Sequence, residues 1–218
     1  MQGGLALGPQ EGNAWLPTTS TLAVDANTWG VAALGPGTID GWFGFGAAVR
    51  NWQQLKRWGG YGEGSTLWGV GYSELDGNGI DANGAYRSGI LSSEWTGGAI
   101  IMVRSMIAHY GRIARDEPRY AEAPRYLGEL RRDEQSMLAG IQRLRLDAYL
   151  ATPFAGKPPQ YQRLLPLGPA VQPYVYASRR YAIPFGWYAN PLPSTCATAW
   201  VLMLAAGFDP FGYGGAPN

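Results

Sequence analysis

The stretch Ser93–Arg115, SEWTGGAIIMVRSMIAHYGRIAR, decides the fold class. Met102, Met106 and the pair His109/Tyr110 recur at helical spacing, with Val103, Ile107 and Ile113 beside them. That period belongs to an amphipathic helix and not to an alternating strand. Ser93 reads as the N-cap, and Glu94 as a first-turn acid that the helix dipole favours.

The same pattern recurs on either side. Upstream, Thr21–Leu34 reads as a helix stopped by Gly35-Pro36-Gly37. Ile39–Trp58 follows, with Trp42, Phe45, Val49, Trp52 and Leu55 on one stripe, although Gly41, Gly44 and Gly46 weaken its first half. Residues 59–89 are non-helical: short apolar pieces between glycines and Asp-Gly or Asn-Gly turns, which fit a short hairpin or a large ordered loop.

Downstream, Arg112–Arg132 mixes both charges and is interrupted by Pro118 and Pro124, which suits a solvated face. Asp116 or Asp133 then caps a helix over Glu134–Leu150, which carries Met137, Ile141, Leu144 and Ala148. A Pro- and Tyr-rich loop runs from Pro153 to Pro193, with a short strand near Pro173–Ser178. Ser194 caps the last helix, Thr195–Ala206, and Gly207 closes it. The expectation is an all-α chain of antiparallel helical hairpins, with long loops and at most short β-hairpins. It reads as one domain over 1–218: an extended segment 1–19, a helical body 20–211 and a tail 212–218.

Composition narrows the function. Charged residues are 15% of the 218 positions, against roughly 25% in an average soluble domain. Aromatic residues are abundant, with 9 Trp, 13 Tyr and 6 Phe, so the chain buries aromatic surface or presents it to a partner. A net charge of +1 gives no electrostatic case for nucleic acid or an anionic membrane. One cysteine and one histidine exclude a disulfide framework and clustered Cys or His metal sites. No apolar run reaches the roughly 20 residues of a membrane span. The opening MQGGLALGPQEGN lacks the basic start and long apolar core of a signal peptide. Location stays open: periplasmic or extracellular if a signal was trimmed, otherwise cytoplasmic.

Three segments carry a resemblance: VDANTWGVAALG (24–35), SSEWTGGAIIMVRSMIAHY (92–110) and RYAIPFGWYANPLPSTCATAWVLML (180–204). They resemble the helical hairpins of six-hairpin (α/α)-toroid carbohydrate-active proteins, the glucoamylase-like and related glycoside hydrolases. The likeness spans about residues 20–211 and lies in the style of the motifs: an acid plus Trp at a helix start, an aromatic loop, then an apolar helix. A complete toroid of that kind has about twelve helices, and this chain offers five or six. The resemblance implies a partial toroid acting on an oligo- or polysaccharide, with a carboxylate pair in an aromatic-lined cleft.

Glycoside hydrolysis needs two carboxyl groups flanking the bond. Glu94, followed by Trp95, is the candidate acid, and Asp25, one turn before Trp29, the second carboxyl. Both also read as ordinary early-helix acids. Trp29, Trp58, Tyr61, Trp68, Trp95, Trp187 and Tyr188 are candidate sugar platforms, whereas Trp42 and Trp52 read as core. Asp76, Asn78 and Asp81 have oxygens at spacings that could hold Ca²⁺, but the full twelve-residue loop and its terminal Glu are lacking, and turn chemistry explains them without a metal. No other metal or cofactor is expected. His109 reads as a core or surface histidine, and Cys196 as a small buried hydrophobe. The alternative function is a non-catalytic glycan-binding or self-assembling structural protein. Half a toroid exposes a helix layer that a second copy could cover.

Overall fold

A computed structural model describes residues 5–7, 15–17, 21–117, 120–151, 172–183 and 186–212. They are mostly helical. In chain order the elements are β1 (Leu5–Leu7), β2 (Trp15–Pro17), α1 (Val24–Leu34), α2 (Pro36–Phe43), α3 (Ala47–Gly59), β3 (Gly60–Glu63) and β4 (Thr66–Val70). After a single 3-10 turn at Glu74–Asp76 come α4 (Ser93–Asp116), α5 (Ala123–Gln142), α6 (Leu146–Ala151), β5 (Tyr181–Ile183), β6 (Trp187–Ala189) and α7 (Thr195–Ala206). The strands form three antiparallel pairs of neighbours, β1–β2, β3–β4 and β5–β6. Within the expected extended start 1–19, only β1 and β2 are described. Pro118, residues 152–171 of the Pro- and Tyr-rich loop, and the tail beyond Gly212 lie outside the described residues.

The decisive helix forms where its period places it, with Ser92 rather than Ser93 at the N-cap. Two sequence readings are corrected. The expected helix Ile39–Trp58 is two helices, because Gly44 and Gly46 take φ of 87° and 80°, which side-chain-bearing residues rarely adopt. The break resets the helical phase. Trp52 is fully buried as expected, whereas Trp42 is 62% exposed instead of in the core. Asp40 closes the break by accepting from the backbone N–H groups of Gly46 and Ala48, each at 3.0 Å. The second correction concerns Pro124. It sits in the first turn of α5 and starts that helix, where proline's missing N–H costs nothing. Asp133, read as a cap, consequently lies inside α5, and α6 is a separate short helix.

Contacts between elements give the helix directions. Trp29 of α1 packs on Gly98 of α4, and Trp200 of α7 packs on Gly97. Further along, the Arg104 guanidinium donates to the Leu204 carbonyl at 2.9 Å. With Asp25, Glu94 and Cys196 at the other end, α1, α4 and α7 run parallel, with α4 in the middle. On α5, Leu127 faces Gly111 and Glu134 pairs with Arg104, so α5 runs antiparallel to α4. The last residue of α3, Gly59, lies against Val24 at the start of α1.

The α3 and α5 helices form a second layer, joined by a buried network. Lys56 Nζ lies 2.9 Å from Glu129 and 2.6 Å from Asp133, and the Trp52 indole N–H donates to Asp133 at 2.7 Å. Between the layers sit Val24, Val49, Trp52, Leu55, Met102 and Met106, all essentially inaccessible to water. Fully burying one such side chain contributes about 1.5–3 kcal/mol, so this interface holds the site's helices in place.

Candidate functional site

Backbone pairing brings the three parallel helix starts together. Val24 N–H donates to the Tyr72 carbonyl at 2.7 Å, which ties the start of α1 to the segment after β4. Residues 173–178, expected as a strand, run as an extended segment between two helix starts. The Tyr176 carbonyl accepts from Ser93 N–H at 3.1 Å, and the Tyr174 carbonyl accepts from Ser194 N–H at 3.0 Å. The same segment makes single antiparallel bridges to Ser92 and to Pro193.

Each of these helices offers its second residue to the shared end: Asp25 in α1, Glu94 in α4 and Cys196 in α7. Carboxylates at that position are favoured by the positive end of the helix dipole. The Tyr176 hydroxyl donates to Glu94 Oε2 at 2.5 Å. Burial and then Glu94 push the Tyr176 phenol well above its ordinary pKa, with Cys196 and Asp25 adding to the effect. Tyr176 therefore keeps its proton and serves as a donor.

Asp25 is half-buried, and burial raises its carboxyl above the ordinary aspartate value despite the Ala26 N–H donating to it at 2.7 Å. Cys196 is exposed, not buried as the sequence suggested. Its thiol hydrogen-bonds Glu94, and partial burial followed by Glu94's charge raises its pKa, so it is a thiol and not a ready nucleophile.

Aromatic rings pack around Trp95, the residue after Glu94. Trp95 lies 4.8 Å from Tyr72, 5.7 Å from Tyr176 and 6.2 Å from Trp187, between ring centroids. Trp95 is only 2% exposed, so it forms the wall behind the site, whereas Trp187 on β6 is 42% exposed and forms its open face. One turn deeper, Trp29 and Trp200 stack at 5.7 Å. Their indoles occupy the room that Gly97 and Gly98 leave by lacking side chains.

Of the residues singled out from sequence, Asp25, Glu94, Trp95 and Trp187 thus come together, with Trp29 beneath them. The others sit elsewhere. Tyr61 is buried in the β3–β4 hairpin. Trp58 packs half-buried on the core. Trp68 lies under the Arg143 guanidinium at 5.0 Å, and Tyr188 under that of Arg180 at 4.2 Å.

The residues considered for Ca²⁺ turn their own loop. Asp76 accepts from the N–H groups of Tyr72 and Ser73, Asn78 bonds Ile90 in both directions, and Asp81 accepts from Asn83 and Ala85 N–H. Among the described residues no group of three or more His, Cys, Asp or Glu side chains could hold a metal ion. Nor, among them, is any helix long and apolar enough to cross a membrane.

Sequence reasoning missed Tyr176 and Tyr72 and misjudged Cys196. The signal available was positional: the segments VD, SE and TC each open an apolar helix, two residues after its cap. A cavity of about 500 Å³ lies at the other ends of α1 and α4, lined by Gly35, Ser105, His109, Arg112 and Phe211. Comparison with protein-family models, with curated proteins and with solved structures finds no match to this chain.

Proposed function

We propose that the chain is a carbohydrate-active protein that binds a glycan across the joined starts of α1, α4 and α7 and cleaves a glycosidic bond there. One observation carries this reading. Glu94 accepts from the Tyr176 phenol at 2.5 Å, Asp25 holds the same second position on the neighbouring parallel helix, and the half-exposed Trp187 ring stands 6.1 Å from Tyr176. A sugar's C–H face suits an exposed indole, and two carboxyl groups supply the acid and the base of hydrolysis.

The environments favour Asp25 as proton donor, because burial keeps its carboxyl protonated to higher pH. Glu94, which accepts hydrogen bonds from Tyr176 and Cys196, takes the base's part. This exchanges the two roles expected from sequence. The layered arrangement, three parallel helices backed by α3 and α5, supports the comparison with an arc of an (α/α) toroid. The experiment is turnover of a broad oligosaccharide panel by the protein and by Asp25→Asn and Glu94→Gln. Both variants are expected to keep binding and lose turnover by at least about 100-fold. Unchanged turnover in either removes it from the mechanism.

A second reading, a self-assembling protein, is favoured by α7. No charged residue occurs from Pro191 to Phe208, and Leu192, Leu202 and Phe208 are each exposed, Leu202 to 64%. Exposed apolar side chains in an uncharged segment suit burial against another subunit. Light scattering of the protein and of Leu202→Lys tests it. A monomer at high concentration contradicts self-assembly.

A further inference from the structure

We propose that the cavity at the far ends of α1 and α4 binds a small apolar amino acid, holding its carboxylate and its ammonium group with different groups of the wall. The inference is independent of the carbohydrate reading, whose site lies at the opposite ends of these helices. The cavity holds about 500 Å³, the size of a small-molecule pocket.

Its backbone supplies both kinds of polar group. Gly35 alone separates α1 from α2, so the end of one helix and the start of the next meet on this wall. The donor for the Ala32 carbonyl belongs four residues on, and that position is Pro36, which has no N–H. The carbonyl therefore lacks its helical partner. Gly37 N–H lies in the first turn of α2, where no intrahelical acceptor exists and no side chain caps the helix. Ala32 and Gly37 both line the cavity. The end of α1 favours an ammonium group, and the start of α2 favours a carboxylate.

Side chains repeat that pairing. Arg112 lines the cavity, and its ion pair with Glu117 spans 3.8 Å, too long for a hydrogen bond. Its guanidinium N–H groups are thus open to a bound carboxylate. Asp209 lines the cavity as well, and Phe211 N–H occupies only one of its two oxygens, Oδ1, at 2.9 Å. A simple anion meets Asp209 and the end of α1; a simple cation meets Arg112 and the start of α2. A ligand carrying both charges answers all four. Leu34, Ala108 and Phe211 add the apolar surface that an aliphatic side chain fills.

His109 reports on this wall. Its ring packs against Gly37, and its Nε2 lies 3.7 Å from Asp40 Oδ2. It is the only histidine in the chain, so its imidazole C–H signal is assigned without ambiguity.

The test uses leucine, isocaproate and isoamylamine, which share one isobutyl chain. Isocaproate lacks the ammonium group, and isoamylamine lacks the carboxylate. Each is titrated into the full chain at neutral pH and low ionic strength, following His109 by NMR. Leucine is expected to shift the His109 signal and to bind at least about tenfold more tightly than either fragment. Arg112→Gln should remove its advantage over isoamylamine, and Asp209→Asn its advantage over isocaproate. Either fragment binding as tightly as leucine overturns the proposal, as do variants that leave both advantages unchanged. So does a His109 signal that leucine does not move.

Discussion

Tyr176 and Glu94 are 82 positions apart in the chain and share a 2.5 Å hydrogen bond from phenol to carboxylate. The bond fastens the first turn of α4 to the extended segment that also holds the start of α7. It fixes Glu94 in one orientation against Tyr176, whose ring lies 6.1 Å from Trp187, so one contact couples the fold to the proposed chemistry.

Tyr176→Phe should therefore lower stability by about 1–2 kcal/mol, the net worth of a hydrogen bond to a charged group in a half-buried setting. Glu94→Gln should cost less, because the amide oxygen still accepts. In a double-mutant cycle read by denaturant melts, the pair should show a coupling of about 1 kcal/mol. Additive losses would mean that the two side chains do not interact in solution.

Asp25 should weaken the folded protein at neutral pH. Its pKa is raised on folding, so the folded state holds the proton more firmly than the unfolded chain. Above the ordinary aspartate value of 3.8 the charged form then costs stability, and this cost disappears at lower pH, where both states are protonated. Asp25→Asn should raise the melting temperature at neutral pH, by no more than about 5 °C, and give no gain in strong acid. A lower melting temperature at neutral pH would contradict the burial argument.

Asp40 works in the opposite sense. Burial alone would raise its pKa, but His109, the Ala48 and Gly46 N–H groups and the Tyr110 hydroxyl outweigh burial and hold it below the ordinary value. Its contribution is present above the ordinary aspartate pKa and is lost as pH falls through the depressed folded value. Asp40→Asn should cost about 2–3 kcal/mol at neutral pH, because it weakens the closure of the α2–α3 break and the 2.8 Å bond from Tyr110. The difference between variant and parent should narrow in strong acid. Chemical denaturation across pH reads this directly, and a pH-independent difference would refute it.

Much of the helical framework was legible because it is local. The period of Ser93–Arg115, the Ser194 cap and the Gly207 stop all act within a turn or two of themselves. Trp42 was misread for a local reason as well: the stripe through Trp42 and Trp52 holds only if one helix continues across Gly44 and Gly46. Of the residues that meet at the candidate site, Asp25, Glu94, Trp95 and Trp187 were named from the sequence, each in a recognisable helix start or turn. The site was not legible in Tyr176, Tyr72 or Cys196. Their roles depend on pairing between remote segments, such as Ser93 N–H with the Tyr176 carbonyl, and no spacing rule encodes that.

Calorimetric titration of a broad oligosaccharide panel into the protein and into Trp187→Ala tests the central claim most directly. Trp187 is the exposed ring of the site and only a minor part of the core, so its removal should leave the fold intact. The account predicts that at least one glycan binds, and that Trp187→Ala weakens it by roughly 1–2 kcal/mol, about five- to thirtyfold. Binding of equal strength in Trp187→Ala, or no binding by any glycan, would contradict the claim that the joined helix starts form a carbohydrate site.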